Sequence, residues 1–256
     1  MIHSTAIVHS AARIDQEVEI GPYAVIGEHV SIAAGTNVGP HAVIEGWTEI
    51  GRDNRIFQFA SVGAIPQDLK FHGEQSYLRI GDRNTFREFV TIHRGTEGGG
   101  GETVIGNDNL FMAYSHVAHD CRVGNRVILA NCATLAGHVT VDDDAILGGL
   151  SGVHQFSRIG CHVMISGGAI VTQDIPPYTI AQGDRAKTVG INVVGLKRRG
   201  FSEAAIRSIK QAYKLMFRSG LRMEEALGQI SSDLGESPEL TVFLDFIRNS
   251  QRGIAR

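Results

Sequence analysis

Residues 1–44 read MIHSTAIVHSAARIDQEVEIGPYAVIGEHVSIAAGTNVGPHAVI, and every sixth position from Ile2 is a branched aliphatic: Ile2, Val8, Ile14, Ile20, Ile26, Ile32, Val38 and Ile44. The interval continues through Ile50, Ile56 and Val62 and resumes at Ile80, Phe86 and Ile92. A second run goes from Ile105 and Phe111 through Val117, Leu135 and Val153 to Val171. Ile92 and Ile105 are thirteen apart, which reads as one inserted residue. Glycine often follows the ladder residue, as at Gly21, Gly39, Gly106 and Gly148.

A period of six matches neither the 3.6 of an amphipathic helix nor the alternation of a half-exposed strand. It fits a short strand plus a turn, repeated. Three such units close a triangular coil of 18 residues, with aliphatics stacked inward and small residues or glycine taking the corners. The expected fold is a mainly β parallel β-helix over residues 1–192, followed by a small helical domain over 193–256. In that second part Ser202 is placed to cap a helix carrying Ile206, Ile209, Tyr213 and Met216 and stopped by Gly220, with two shorter helices around 223–234 and 238–249.

The ladder lapses twice. Near 64–78, Asp68 and Glu74 fall on inward positions, where an unpaired carboxylate is too costly, so the segment must loop outward. Near 93–104 the run Gly98–Gly101 reads as a flexible, poorly packing loop. Loops projecting from a rigid scaffold are where binding residues concentrate.

Composition narrows the function classes. A net charge of −3 with thinly spread basic residues argues against nucleic acid. Three scattered cysteines form neither a disulfide framework nor a zinc ribbon and point to a reducing compartment. No apolar run of spanning length occurs, so no stable membrane insertion is expected, and a cytoplasmic location is.

With 18 residues per coil, residue n lies about 4.8 Å beneath residue n+18. His116, His119, His138 and His154 then project onto one corner, and Gly137 stacks on His119. Two chemistries suit such a cluster. His116, His119 and His138 would give zinc three nitrogens with a fourth position open, as in hexapeptide carbonic anhydrases. Alternatively one neutral imidazole is a general base, with Asp120 orienting His119 and the Gly137 N–H approaching a reacting carbonyl. A third reading, a purely structural or surface-binding solenoid, calls for regular outward ladders and no polar loops, neither of which the sequence displays.

Six runs carry a resemblance: Gln67–Lys70, Thr91–Thr96, Ala118–Cys121, Leu135–His138, Val153–Phe156 and Gly195–Phe201. Together they resemble the UDP-N-acetylglucosamine 3-O-acyltransferases of lipid A biosynthesis, over essentially the whole chain. The resemblance implies a left-handed prism and a homotrimer with active sites between prisms. It implies transfer of a 3-hydroxyacyl chain from acyl carrier protein, through its phosphopantetheine, to the sugar 3-hydroxyl, with no metal or other cofactor. His119 looks like the base, Asp120 its partner and Gly137 the oxyanion donor. Asp68 and Lys70 look like ligands of the sugar and its phosphates; His116, His138, His154 and Gln155 look like substrate contacts. Asn192 and Arg198 face the nucleotide by the same resemblance, Arg198 and Arg199 are suited to the acidic carrier, and Gly167 looks like the floor that sets acyl length. Val194 departs from the family's usual glutamate, so an acidic contact to the nucleotide is missing, and a 3-amino sugar nucleotide stays open as an alternative acceptor. The N-acyltransferase of the same pathway begins with a uridine-binding domain, whereas the ladder here starts at Ile2.

Overall fold

The computed structural model describes residues 1–256. Strands of mostly two residues stack in parallel into three sheets of nine, eight and ten strands, the last ending in one antiparallel strand, and these form the three walls of a left-handed prism. Register advances by 18 from coil to coil, as in His116↔Thr134 and Val117↔Leu135. The ladder side chains, from Val18 and Ile20 to Ile165 and Val171, fill one continuous core. Phe86 and Phe111 replace aliphatics on adjacent coils and stack at 4.9 Å, so the wider side chains fill the same interior as a pair.

The corners differ from the sequence reading. The residue three places after most ladder positions carries the left-handed backbone, and it is seldom glycine: Tyr23, Phe59, Asp120, Arg126, His138 and Phe156 all have φ between 55° and 66°. Such a backbone costs an ordinary residue about 1 kcal/mol, offset here by stacking on the corner residues of adjacent coils. The glycine after the ladder residue serves coil spacing instead. A Cβ at Gly148 would lie 2.5 Å from the Gly167 nitrogen on the next coil, closer than any real packing contact.

Stacked corners make three outward ladders, contrary to the expectation that none exist. One corner bears Tyr23, His41, Phe59, Phe89 and Tyr114, face to face at 4.8–5.2 Å. A second alternates charge, with Arg83–Asp108 at 2.7 Å and Arg126–Asp144 at 2.9 Å. The third carries Asp120, His138 and Phe156.

Both lapses are outward loops. Ser61 pairs with Thr91, a step of 30 rather than 18, so the first inserts twelve residues between strands Ser61–Ala64 and Tyr77–Ile80. Thr91 pairs with His116, a step of 25, so the second inserts seven residues and not one. An insertion of one hexad plus one residue looks the same as a single residue when only the phase is read. Arg94, buried, sits 5.5 Å from both the Trp47 and Phe71 rings and thereby ties the two loops to the prism.

Beyond the last coil, Thr179–Gln182 and Lys187–Ile191 form an antiparallel hairpin that the sequence reading did not contain. Helices follow at Val193–Arg198 (α1), Glu203–Arg218 (α2), Met223–Asp233 (α3) and Pro238–Arg248 (α4). α2 is capped by Ser202, whose hydroxyl accepts the Ala205 N–H, and it buries Ile206, Ile209, Tyr213 and Met216. α1 has six residues and no apolar period, which is why it was missed. No helix is long and apolar enough to cross a membrane.

Candidate active site

The site is built on the third corner. One coil apart, Gly137 lies over His119 and His138 over Asp120, with the His138 N–H donating to the His119 carbonyl at 3.0 Å. Two coils up, Phe156 stacks on the His138 ring at 4.3 Å, and its N–H donates to the Gly137 carbonyl. The His119 ring packs on the bare Gly137 backbone: a Cβ there would be 2.5 Å from Cε1 and 2.7 Å from Nε2. The Gly137 N–H itself has no protein acceptor.

His119 Nδ1 is 2.7 Å from Asp120 Oδ2, and the Asp120 side chain is fully buried. Burial pushes that carboxyl up, but hydrogen bonds from His119 and from Thr96 outweigh it and hold Asp120 below the usual carboxylate range. An ionised carboxylate has no proton to give, so in the neutral ring Nδ1 carries the hydrogen and Nε2 keeps its lone pair. That nitrogen faces the Gly137 backbone.

The remaining histidines divide. His138 is edge-on to His119 at 5.1 Å, and burial followed by the neighbouring His119 lowers its pKa, against Asp120 and Asp68, which raise it. His116 Nδ1 meets Thr91 Oγ1 at 2.7 Å and packs edge-on to His93. His93 is buried, its Nδ1 unpartnered, and burial drives its pKa down to about 4. His154 and Gln155 are exposed one coil above the Ala136–Gly137 step. The groups whose ligand atoms converge within 4.8 Å are His119, Asp120 and His138. His116, expected as a third zinc nitrogen, is not among them.

A cavity of about 590 Å³ opens beside this corner, lined by Asp68 and Lys70 of the first loop, Thr96 and Glu97 of the second, and His138 and Phe156. Asp68 also accepts the Lys70 N–H at 3.0 Å, a turn that presents both side chains together. Thr96, Thr103, Gly99 and Phe156 were not singled out from the sequence. Thr96 donates to Asp120 through both its N–H and its hydroxyl, Thr103 Oγ1 accepts the Asp120 N–H, and Gly99 packs against the carboxylate.

Four expected residues lie elsewhere on the chain. Asn192 caps α1, accepting the Gly195 N–H and donating to the His162 carbonyl, which puts it on the charged corner. Arg198 is exposed there without an ion pair, whereas Arg199 is 3.0 Å from Asp144. Gly167 is next to the aromatic-ladder corner, where a Cβ would meet the Gly149 backbone, its carbonyl oxygen at 3.3 Å and its nitrogen at 4.0 Å.

Cys121, beside Asp120, is no nucleophile: its thiol is buried, bonded to the Ala136 carbonyl and pushed up to about 12. An imidazole bonded to a buried carboxylate and packed on a glycine backbone whose N–H is free has the groups that acyl transfer by a general base calls for, here mounted on a hexapeptide prism. Comparison with known proteins narrows that class. The bacterial transferase hexapeptide model matches residues 11–46 and 102–137, and the model described as UDP-N-acetylglucosamine O-acyltransferase, domain 2, matches residues 174–255. The chain is similar to the structure of LpxA from Acinetobacter baumannii, with 46% identity, 100% of this chain and 99% of that chain covered, and a TM-score of 0.97. It is equally similar in fold to LpxA, a UDP-N-acetylglucosamine acyltransferase from Bacteroides fragilis, at 44% identity, full coverage of both chains and a TM-score of 0.97. The Arabidopsis UDP-N-acetylglucosamine acyltransferase matches at 38% identity over 100% of both chains, with a TM-score of 0.88. The chain belongs to the UDP-N-acetylglucosamine O-acyltransferase family, and it is an acyltransferase.

Proposed function

We propose that the chain transfers a 3-hydroxyacyl group from acyl carrier protein to the 3-hydroxyl of UDP-N-acetylglucosamine, the first step of lipid A biosynthesis, in the cytoplasm. The observation that carries the mechanism is the His119–Asp120 bond of 2.7 Å, which leaves Nε2 against the backbone of Gly137, whose N–H is free. Nε2 takes the proton as the sugar oxygen attacks the thioester carbonyl. The oxyanion meets the Gly137 N–H, and the carrier thiol leaves with the proton returned by His119. Asp120 stabilises the imidazolium and stays ionised. No step needs a metal or other cofactor, because the base and the oxyanion donor are both protein groups.

The sugar and its phosphates fit the 590 Å³ cavity, where Lys70 supplies charge and Asp68 and His138 supply hydroxyl partners. His116, His154 and Gln155 are outside the residues that line it. A second cavity of about 600 Å³, lined by His154, Arg185, Lys187, Arg252 and Arg256 with no carboxylate, suits the phosphodiester of phosphopantetheine and an acidic carrier. Asn192, Arg198 and Gly167 are on other corners, so within one prism they do not face His119. A homotrimer that sets one prism's corner against the next supplies them, and the aromatic ladder, with Tyr23 and Tyr114 each 58% exposed, offers apolar surface for that contact.

Product analysis tests this reading. Purified protein with 3-hydroxyacyl carrier protein should give a single ester on UDP-N-acetylglucosamine by mass spectrometry. Faster amide formation on the 3-amino analogue would transfer the assignment to that acceptor.

A further inference from the structure

We propose that Thr96 is a positioning residue: the second loop closes on the Asp120 carboxylate through it and so sets the orientation and basicity of His119. The inference rests on the reading of His119 as the base. The Asp120 side chain is fully buried and hydrogen-bonded from only two residues, with His138 Nδ1 a third neighbour at 3.9 Å from Oδ2. Oδ1 accepts the Thr96 N–H at 2.9 Å; Oδ2 accepts the Thr96 hydroxyl and His119 Nδ1, both at 2.7 Å. The same oxygen that holds the base therefore shares its charge with Thr96. Each donor on a carboxylate oxygen lowers the negative charge left for the other.

The rest of the loop is shaped around that contact. A Cβ at Gly99 would fall inside the Asp120 carboxyl group, so the glycine run permits the loop to close and is packed rather than loose at this residue. Thr96 turns back into the chain from the other side, accepting the N–H groups of Gly99 and Gly101. Thr96, Glu97 and Gly98 also form one wall of the 590 Å³ cavity. One residue thus joins the wall of the acceptor cavity to the carboxylate behind the base.

Thr96→Val keeps the backbone N–H bond and removes only the hydroxyl donor. With that donor gone, Asp120 is more basic, the imidazolium is more stable, and the acid limb of kcat/KM should move up by about one pH unit. The loosened carboxylate should lower plateau kcat by about tenfold to a hundredfold, with KM for UDP-N-acetylglucosamine within about twofold. Thr96→Ser should restore both the limb and kcat. Gly99→Ala, which keeps the Thr96 hydroxyl but crowds the Asp120 carboxylate, should also lower kcat at unchanged KM, and it serves as the test if Thr96→Val does not fold. A wild-type limb and kcat in Thr96→Val, the same loss in Thr96→Ser, a loss confined to KM, or wild-type kcat in Gly99→Ala would each overturn the assignment. His119→Ala, run alongside, separates the two claims. Retained turnover there removes the base, whereas loss there with an indifferent Thr96→Val removes only the clamp.

Discussion

Replacing Gly137 by alanine adds one methyl group where the structure leaves no room. The backbone at Gly137 lies outside the left-handed region, so alanine meets no conformational penalty and the effect falls on His119 alone. The new Cβ would be 2.5 Å from Cε1 and 2.7 Å from Nε2, about 1 Å inside normal contact. The ring cannot slide away at no cost, because Nδ1 is bonded to a buried carboxylate at 2.7 Å. Breaking that charge-assisted bond costs about 1.5–3 kcal/mol, and displacing a reacting nitrogen by about 1 Å costs on the order of a hundredfold in rate. Gly137→Ala should therefore lower kcat by roughly 10²–10³ while KM for UDP-N-acetylglucosamine stays within about threefold. Steady-state kinetics with saturating carrier, alongside thermal melting to confirm the fold, read this directly. A variant with wild-type kcat would show that the imidazole has another productive position and that the stacked glycine has no part in the chemistry.

Other perturbations test separate parts of the account. His93, held down at about 4 by burial and then by His116 and His119, is neutral in the folded state where the unfolded chain binds a proton, between about pH 6.5 and 4. Stability should therefore fall as pH drops through that window, by about 2 kcal/mol from pH 7 to 5, and His93→Gln should flatten the dependence in denaturant titrations. Val194, 61% exposed in the first turn of α1 two residues after the Asn192 cap, stands where an acidic contact is expected. Val194→Glu should tighten acceptor binding several-fold by calorimetry; equal or weaker binding refutes the nucleotide contact. Gly167 carries no side chain that could close a groove, so wild type should prefer a long, roughly tetradecanoyl-like donor. At about 0.8 kcal/mol per buried methylene, Gly167→Met should shift competition among carrier-bound chains towards donors several methylenes shorter.

The prism was legible because its signal is arithmetic: a period of six has one common structural meaning, and 18 residues per coil turn Gly137 and His119 into neighbours before any coordinates exist. The same arithmetic fails across an insertion. Thr96 and Gly99 lie in the seven-residue loop, where the stacking rule does not apply, so nothing in the local sequence tied them to Asp120. Corner conformation was misassigned because glycine satisfies two needs, a left-handed φ and close approach, and here it mostly serves the second. The aromatic ladder was overlooked because its step changes from 18 to 30 at Phe59–Phe89 and to 25 at Phe89–Tyr114. Asn192, Arg198 and Gly167 show the opposite limit: resemblance assigned them to the site, and a single prism holds them on other corners.

Turnover by His119→Ala measures most directly whether His119 is the general base of acyl transfer. Removing the imidazole relieves no strain in Asp120, which keeps both Thr96 bonds, and it deletes a partly exposed ring without opening the prism core. The account predicts a fall in kcat of about 10²–10⁴, with acceptor binding by calorimetry within about threefold of wild type, because only a transition-state interaction is lost. Turnover within tenfold of wild type, at unchanged acceptor affinity, would contradict it.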